Sequence, residues 1–312
     1  MRTTLLAFVV ALAVAAPAAA QGRMVKTNAL IHVVASLEPS IAFYRDAVGF
    51  ELVEPPAPLR ASGLLDLAKA SAPNATARTA AFRIPGSEMQ FRLIEFSGTD
   101  GRRFEQRLYD PGVTRFSIQV RDIDAAFNRV KDQVLAVDTT GGAPVYTQRP
   151  RNDTRAVMMR DPDGFVLEFV QGDPLPQTDV PASSNIFNAR SSLAIENTDR
   201  ALAFYRDILG FTNRPTNTVN DAVLALEGTP TAVARTTSTS PPGGTNVWFL
   251  WEFSNIDRTK RAPRVFDPGA SALAIQVENR AALIERMRAA GVAVEGTSVV
   301  RSPDGLLIEL TE

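Results

Sequence analysis

The segment Ile41-Ala42-Phe43-Tyr44-Arg45-Asp46, followed by Gly49-Phe50, returns as Leu202-Ala203-Phe204-Tyr205-Arg206-Asp207, followed by Gly210-Phe211. The copies stand about 160 residues apart, half the chain, and a recurrence of that length and order marks an internal duplication. Any fold proposed for this sequence must therefore be built twice.

Hydrophobic periodicity divides each half again. Apolar strands are predicted at 29–35, 114–120 and 190–195 and from 272, each followed by a helix: 37–48, 123–133, 198–209 and 280–290. Two residues after Val34, Val120, Ile195 and Val277 stand Ser36, Asp122, Asn197 and Asn279, all side chains that accept hydrogen bonds from free amides at a helix start. Further strands are predicted at 51–53, 79–84 and 89–96, at 145–148, 155–160 and 165–170, and at 247–253 and 306–310. Asp110-Pro111-Gly112 is echoed by Asp267-Pro268-Gly269, and Pro162-Asp163-Gly164 by Pro303-Asp304-Gly305; the Asp-Gly pairs read as hairpin turns that set strand register. The proline-rich stretch 172–187 has no periodicity and reads as a linker. The chain thus divides into modules 28–97 and 112–171, forming a first domain 28–171, and modules 188–254 and 270–312, forming a second domain 188–312.

Residues 1–20 precede this pattern. Arg2, an apolar run through Ala15, then Pro17 and Ala18-Ala19-Ala20 read as a signal peptide cleaved after Ala20, which predicts export to a periplasm or the outside with no stable membrane insertion afterwards. The formal net charge of −1 gives no electrostatic case for nucleic acid. With no cysteine and a single histidine, His32, disulfide chemistry and any site needing two imidazoles per chain are excluded.

Strand–helix–three-strand units repeated in pairs, with the FYRD–GF segments and the PDG turns leading to Val166-Leu167-Glu168 and Leu307-Ile308-Glu309, resemble the vicinal oxygen chelate superfamily: glyoxalase, bleomycin-resistance and extradiol dioxygenase proteins. The resemblance implies an α+β fold of four βαβββ modules. They pair into two domains, each a curved mixed sheet around a cavity with helices outside. It also implies a divalent metal held by first-strand residues, commonly His, and last-strand residues, commonly Glu. Carried over, the last-strand places fall on Glu95, Glu168, Glu252 and Glu309. The first-strand places, five before each apolar strand end, fall on Ala29, Arg115, Arg190 and Ala272.

No unit has a histidine there. Two carboxylates facing one cavity need a cation, and a guanidinium fork pairs with carboxylates in two-point geometry. The expectation is therefore that Arg115 bridges Glu95 and Glu168, and Arg190 bridges Glu252 and Glu309, with no metal cofactor. Strand alternation places Ser117, Gln119, Gln276 and Trp248 in the same pockets, and sets His32 on the helix side with Leu30 and Val34. The competing reading slips His32 to the metal place beside Glu95 and Glu168, holding Zn, Ni, Fe or Mn. The long connection 54–78, with Leu64-Leu65-Asp66-Leu67, reads as a lid; its partner tract 229–246 is polar, and 236–244 reads as disordered. Two basic loops, with Arg102, Arg103 and Arg107 and then Arg258, Lys260, Arg261 and Arg264, read as solvated arginines, with attraction of an anionic ligand as the alternative.

Three functions follow: an exported, metal-free protein that binds a small molecule; a metal-dependent lyase or dioxygenase; or a structural or partner-binding protein with vestigial sites. A homo-oligomer is compatible with each.

Overall fold

The computed structural model describes residues 22–147 and 153–312, so the segment 1–20 read as a signal peptide, and Gln148, lie outside the described residues. The first module runs β1 (Arg23–Val34), α1 (Leu37–Ala42), a π-helical turn (Phe43–Val48), β2 (Glu51–Pro58), α2 (Gly63–Ser71), β3 (Thr76–Arg83) and β4 (Gln90–Ser97). The second runs β5 (Thr114–Val120), α3 (Ile123–Val130), β6 (Ala136–Val137), β7 (Val145–Thr147), β8 (Asp153–Arg160) and β9 (Val166–Asp173). The third runs β10 (Ile186–Ile195), α4 (Thr198–Tyr205), β11 (Thr212–Asn213), β12 (Asn217–Thr218), α5 (Asp221–Leu226), β13 (Val233–Ser240) and β14 (Trp248–Ser254). The fourth runs β15 (Ser271–Glu278), α6 (Arg280–Ala289), β16 (Ala293–Glu295), β17 (Val299–Arg301) and β18 (Leu307–Thr311). The tract read as disordered at 236–244 instead begins inside β13, whose Thr237 and Thr239 are buried.

The sheets do not follow the order of the chain. One runs β16-β17-β18-β15-β1-β4-β3-β2 and the other β11-β13-β14-β10-β5-β9-β8-β6. The first joins the first module to the fourth through antiparallel β1 and β15, where Leu30 faces Leu273. The second joins modules two and three through β5 and β10, where Ser117 faces Arg190. The expected sheets, one per half, are therefore corrected: each sheet draws one module from each half. Every opening strand is hydrogen-bonded to its own module along one edge only, and any other opening strand satisfies the free edge equally well. The sequence repeat does not distinguish those partners.

Each sheet has two faces. The helix faces share one core, with Leu30 and Val34 of β1, Phe91 and Leu93 of β4, Phe116 and Ile118 of β5, and Trp248 and Leu250 of β14. Tyr44, Phe127, Phe204 and Met287 enter it from the helical segments. The opposite faces, where the resemblance puts cavities, are each covered by a short helix. On the first sheet Leu64, Leu65 and Ala68 of α2 lie in one cluster with Ala29, Ile31, Ala272, Ala274 and Leu307. Burying each leucine contributes roughly 1.5–3 kcal/mol. On the second sheet Val223 and Leu224 of α5 cluster with Ala234, Trp251 and Phe253. The lid of the first half is thus a packed helix, and its counterpart is α5, which precedes the polar tract expected to match it.

The helix caps follow a shared rule. Asp122, Asn197 and Asn279 accept from Ala125, Arg200 and Ala282 amides, as their spacing predicts. Ser36 makes no such bond; the Leu37 amide donates instead to Glu95 Oε2, at 2.7 Å. An acceptor in, or directly after, the last strand of each other module plays the same part: Gln171 takes the Ile123 amide, Glu252 the Thr198 amide and Glu312 the Arg280 amide. The first free amide of the helix that follows each opening strand is satisfied in this way.

The aspartates of the repeated turns tie the halves together. Asp110 receives Thr259 N and is paired with Arg107 and Arg261, while Asp267 receives Arg102 N and is paired with Arg264. Lys260 and Arg258 donate to the carbonyls of Pro303 and Ile195. Most of the basic residues in these loops are therefore committed to internal anchoring, which removes the ground for reading the loops as an anion lure.

Candidate functional site

Strand pairing fixes which last-strand residue shares the pocket face with each first-strand residue. Ser117 faces Glu168 and Ala274 faces Glu309, but the matching partners of Ile31 and Ser192 are Arg92 and Phe249. Glu95 and Glu252 stand three residues further on, opposite Val34 and Ile195, with their side chains at the helix starts. The four glutamates aligned in the sequence thus occupy two structural positions. Glu95 and Glu252 are helix caps, and only Glu168 and Glu309 belong to the pocket faces. An odd shift along a strand reverses the face, which is why a register wrong by three moves a residue from pocket to helix side.

Sheet composition then separates the charges. The first sheet presents Ala29, Ala272, Arg92 and Glu309; the second presents Arg115, Arg190, Glu168 and Phe249. Both arginines lie on one sheet and both alanines on the other. On the first sheet Glu309 accepts from Ser62 Oγ at 2.6 Å and from Leu64 N at 3.4 Å, closing over the start of α2. Gln276 lies along the same face of β15, half-buried.

The second sheet holds the charged centre. The Arg115 guanidinium is buried, 4.5 Å over the ring of Trp251. Its Nη1 donates to Glu227 Oε1 at 2.5 Å, and its Nε lies 3.7 Å from Glu168 Oε2. Ser117 Oγ donates to Glu168, fixing that carboxylate on β9. Burial opposes the charge on Arg115, but Glu227 and Glu168 outweigh it and hold the proton more tightly than usual. Arg190 extends over Phe249, 6.0 Å from the ring centroid, and Gln119 is half-buried further along β5.

Two expectations are corrected here. Arg115 does pair with two carboxylates, but they are Glu168 and Glu227, not Glu168 and Glu95. Arg190 does not bridge Glu252, which caps α4, and Glu309, which lies in the other sheet. Trp248 is also misplaced: it is 1% exposed in the shared core, and Trp251, three residues on, is the tryptophan of the pocket face. Glu227 was missed because it follows α5, in a stretch with no echo of a family motif; its only signal is an acidic residue after an apolar run.

His32 sits on the helix side, as its strand parity predicts, and is fully buried. Its Nε2 lies 2.8 Å from Asp161 Oδ2, which also accepts from Tyr44 at 2.7 Å. Asp161 Oδ1 accepts the amides of Asp163 and Phe165, and Phe165 stacks on the imidazole at 4.6 Å. Asp163 takes the Ala35 amide. Burial would lower the His32 pKa, yet the charge and hydrogen bond of Asp161, with Asp163, carry it above the ordinary value. Donor atoms of His32, Asp161 and Asp163 lie within 4.8 Å of one another. Neither Glu95 nor Glu168 joins this group, so the metal set His32, Glu95 and Glu168 is not assembled.

A sequence profile of the Glyoxalase/Bleomycin resistance protein/Dioxygenase superfamily matches residues 27–169 and 189–310. The chain belongs to this superfamily. Glyoxalase I from Zea mays is similar in structure at 17% identity, with a TM-score of 0.54 over 93% of this chain and 92% of that one. A putative dioxygenase from Bacillus subtilis aligns at 13% identity, with a TM-score of 0.52 over 92% and 85%. These likenesses show the fold. No curated protein matches the chain.

Against the superfamily's metal position the donor set is a poor fit. Each pocket face offers one carboxylate and no imidazole at the matching places, and the second adds guanidinium groups, which have no lone pair to give a cation. Divalent ions bound by proteins of this kind draw on several carboxylate or imidazole donors.

Proposed function

We propose that this chain is an exported, small-molecule-binding member of the superfamily in which Arg115 takes the place of the metal. The observation that carries the reading is the buried guanidinium on the pocket face, between Glu168 and Glu227 and over the ring of Trp251. A fixed organic cation offers donors to an oxygen-bearing ligand where an ion would otherwise offer a Lewis acid. Export rests on the leader-like segment 1–20.

The test is metal content and ligand binding on one preparation. After dialysis against zinc, nickel, iron and manganese the protein is expected to retain no stoichiometric ion, and a small-molecule screen is expected to raise its melting temperature for some compounds. Tightly held metal that disappears on Glu168→Gln overturns the reading.

A second reading, a metal-dependent lyase or dioxygenase, is favoured by the convergence of His32, Asp161 and Asp163. It competes with the hydrogen bonds those oxygens already make. Stoichiometric metal lost on Asp161→Asn but retained on Glu168→Gln would select it.

A further inference from the structure

A cavity of about 280 Å³ lies at the seam of the two sheets, lined by Lys26 and Thr27 of β1, Glu88 of the β3–β4 turn, and Gly243, Gly244 and Asn246 of the β13–β14 loop. It shares no lining residue with the space beside Arg115. Its walls follow from the register. Pairing of β1 with β4 starts only at Ala29 and Gln90, so Lys26 and Thr27 have no strand on that side. Over the same stretch the pairing of β1 with β15 shifts twice, between Met24 and Lys26 and between Thr27 and Ala29. Such bulges bend a strand and re-aim its side chains. The β13–β14 loop reaches this edge only because residue 243 is glycine. Its φ is +66°, and a Cβ there would stand 2.3 Å from the Val25 carbonyl oxygen.

Opposite charges line this space without meeting. Lys26 and Glu88 are both exposed, and Lys26 makes no ion pair among the described residues. Glu88 Oε2 accepts the Thr245 amide at 3.2 Å, which holds the carboxylate at the loop and leaves its other oxygen uncommitted. Asn246 is buried, and its carboxamide oxygen accepts from Ser87 Oγ at 3.4 Å. Thr27 is 5% exposed, and its hydroxyl has no partner among the described residues. Unpaired charges are ordinary on a surface, but a buried unpaired hydroxyl is not.

We propose that this cavity is a second ligand site, separate from Arg115, and that it takes a free amino acid. The Lys26 ammonium receives the ligand carboxylate and Glu88 receives the ligand ammonium group, with Thr27 and Asn246 as the polar wall. The charges select this class. An anion alone would face Glu88, a cation alone would face Lys26, and a neutral polyol would leave both without a counter-charge. The volume sets the size. It falls just below the roughly 300–1,000 Å³ of pockets for drug-sized ligands, which suits a single amino acid rather than a peptide. The site goes beyond the small-molecule reading above and does not depend on it.

Calorimetry on the mature chain with each proteinogenic amino acid in turn provides the test. At least one should bind, with low affinity because both charges are exposed. Its amide, which lacks the carboxylate, and its N-acetyl derivative, which lacks the ammonium group, should each bind about fivefold more weakly. Lys26→Met and Glu88→Gln, both at exposed positions, should each weaken the parent amino acid by a similar factor. In Lys26→Met the amide should bind as well as the parent, because the partner of the missing carboxylate is gone. Equal binding of all three compounds to the wild type overturns the inference, and so does the absence of binding by any amino acid. Binding untouched by both substitutions overturns it too, by moving the ligand elsewhere, and leaves the Arg115 reading standing. Retained metal at Glu168, which would defeat that reading, bears on none of these results.

Discussion

His32 and Asp161 form a buried pair, 2.8 Å between Nε2 and Oδ2, and the second half of the chain replaces both members at once. Leu193 stands at the place of His32, two residues before the strand end, and Ser302 at that of Asp161 in the repeated turn. Tyr205 keeps the place of Tyr44. The pair joins β1 of one sheet to the turn after β8 of the other, so it fastens the sheets to each other rather than serving a pocket.

Breaking a buried ion pair by removing one partner is costlier than replacing both with residues that pack. His32→Leu and Asp161→Ser are each expected to destabilise by about 3–5 kcal/mol, and the double variant by clearly less than their sum. Urea denaturation of the four proteins measures the coupling. Additive losses would show that the pair is not a unit.

The same pair sets a pH dependence. The folded-state pKa of His32 is raised by Asp161 and Asp163 against the opposing effect of burial. Its stabilisation is therefore fully present below the unfolded value of about 6.5 and declines as pH rises through the higher folded value. Between about pH 6 and 9 the wild type should lose more stability than the His32→Leu/Asp161→Ser double variant. Parallel curves would refute the assignment.

Asp304 titrates in a lower window. Burial pushes its carboxyl up to about 6 from 3.8, while the Glu196 amide, donating at 2.8 Å, works the other way. A raised carboxyl stabilises the fold when protonated, so its contribution is present at low pH and lost as pH rises through about 6. The shift corresponds to roughly 3 kcal/mol. Asp304→Asn keeps the acceptor for Glu196 and should flatten the fall in melting temperature between about pH 4 and 7. An unchanged profile would count against it.

Glu95 and Glu168 should separate cleanly on mutation. Glu95→Ala should cost about 1–2 kcal/mol through the lost helix cap, with ligand affinity intact. Glu95→Gln should recover most of that, since Gln171 already fills the same role for α3. A loss of ligand binding in Glu95→Ala would return Glu95 to the pocket.

Much of the fold was legible because strand and helix periods, Asp-Gly turns and cap residues are local properties. The four opening strands and the helix-side placement of His32 follow from them directly. The site was harder to read. Glu95, Glu168, Glu252 and Glu309 all precede Phe or Leu, so a local motif aligns them, whereas inter-strand register separates them by three residues and by face. Arg115 was identified from its spacing, but Glu227 came from a different module. Contact between modules depends on which free strand edges meet, and the duplicated sequence is silent on that choice.

Pairing the first module with the fourth and the second with the third makes the molecule nested, like brackets within brackets. During synthesis the inner sheet can close once β10 has emerged, whereas β1 keeps an open edge until β15 arrives, more than two hundred positions later in the chain. Such long-range closure is slow and leaves a strand edge exposed meanwhile. The stretch between the repeats is consequently no seam. Fragments 22–171 and 188–312 produced apart each lose the native partners of two opening strands, and on mixing should form one co-eluting complex on gel filtration.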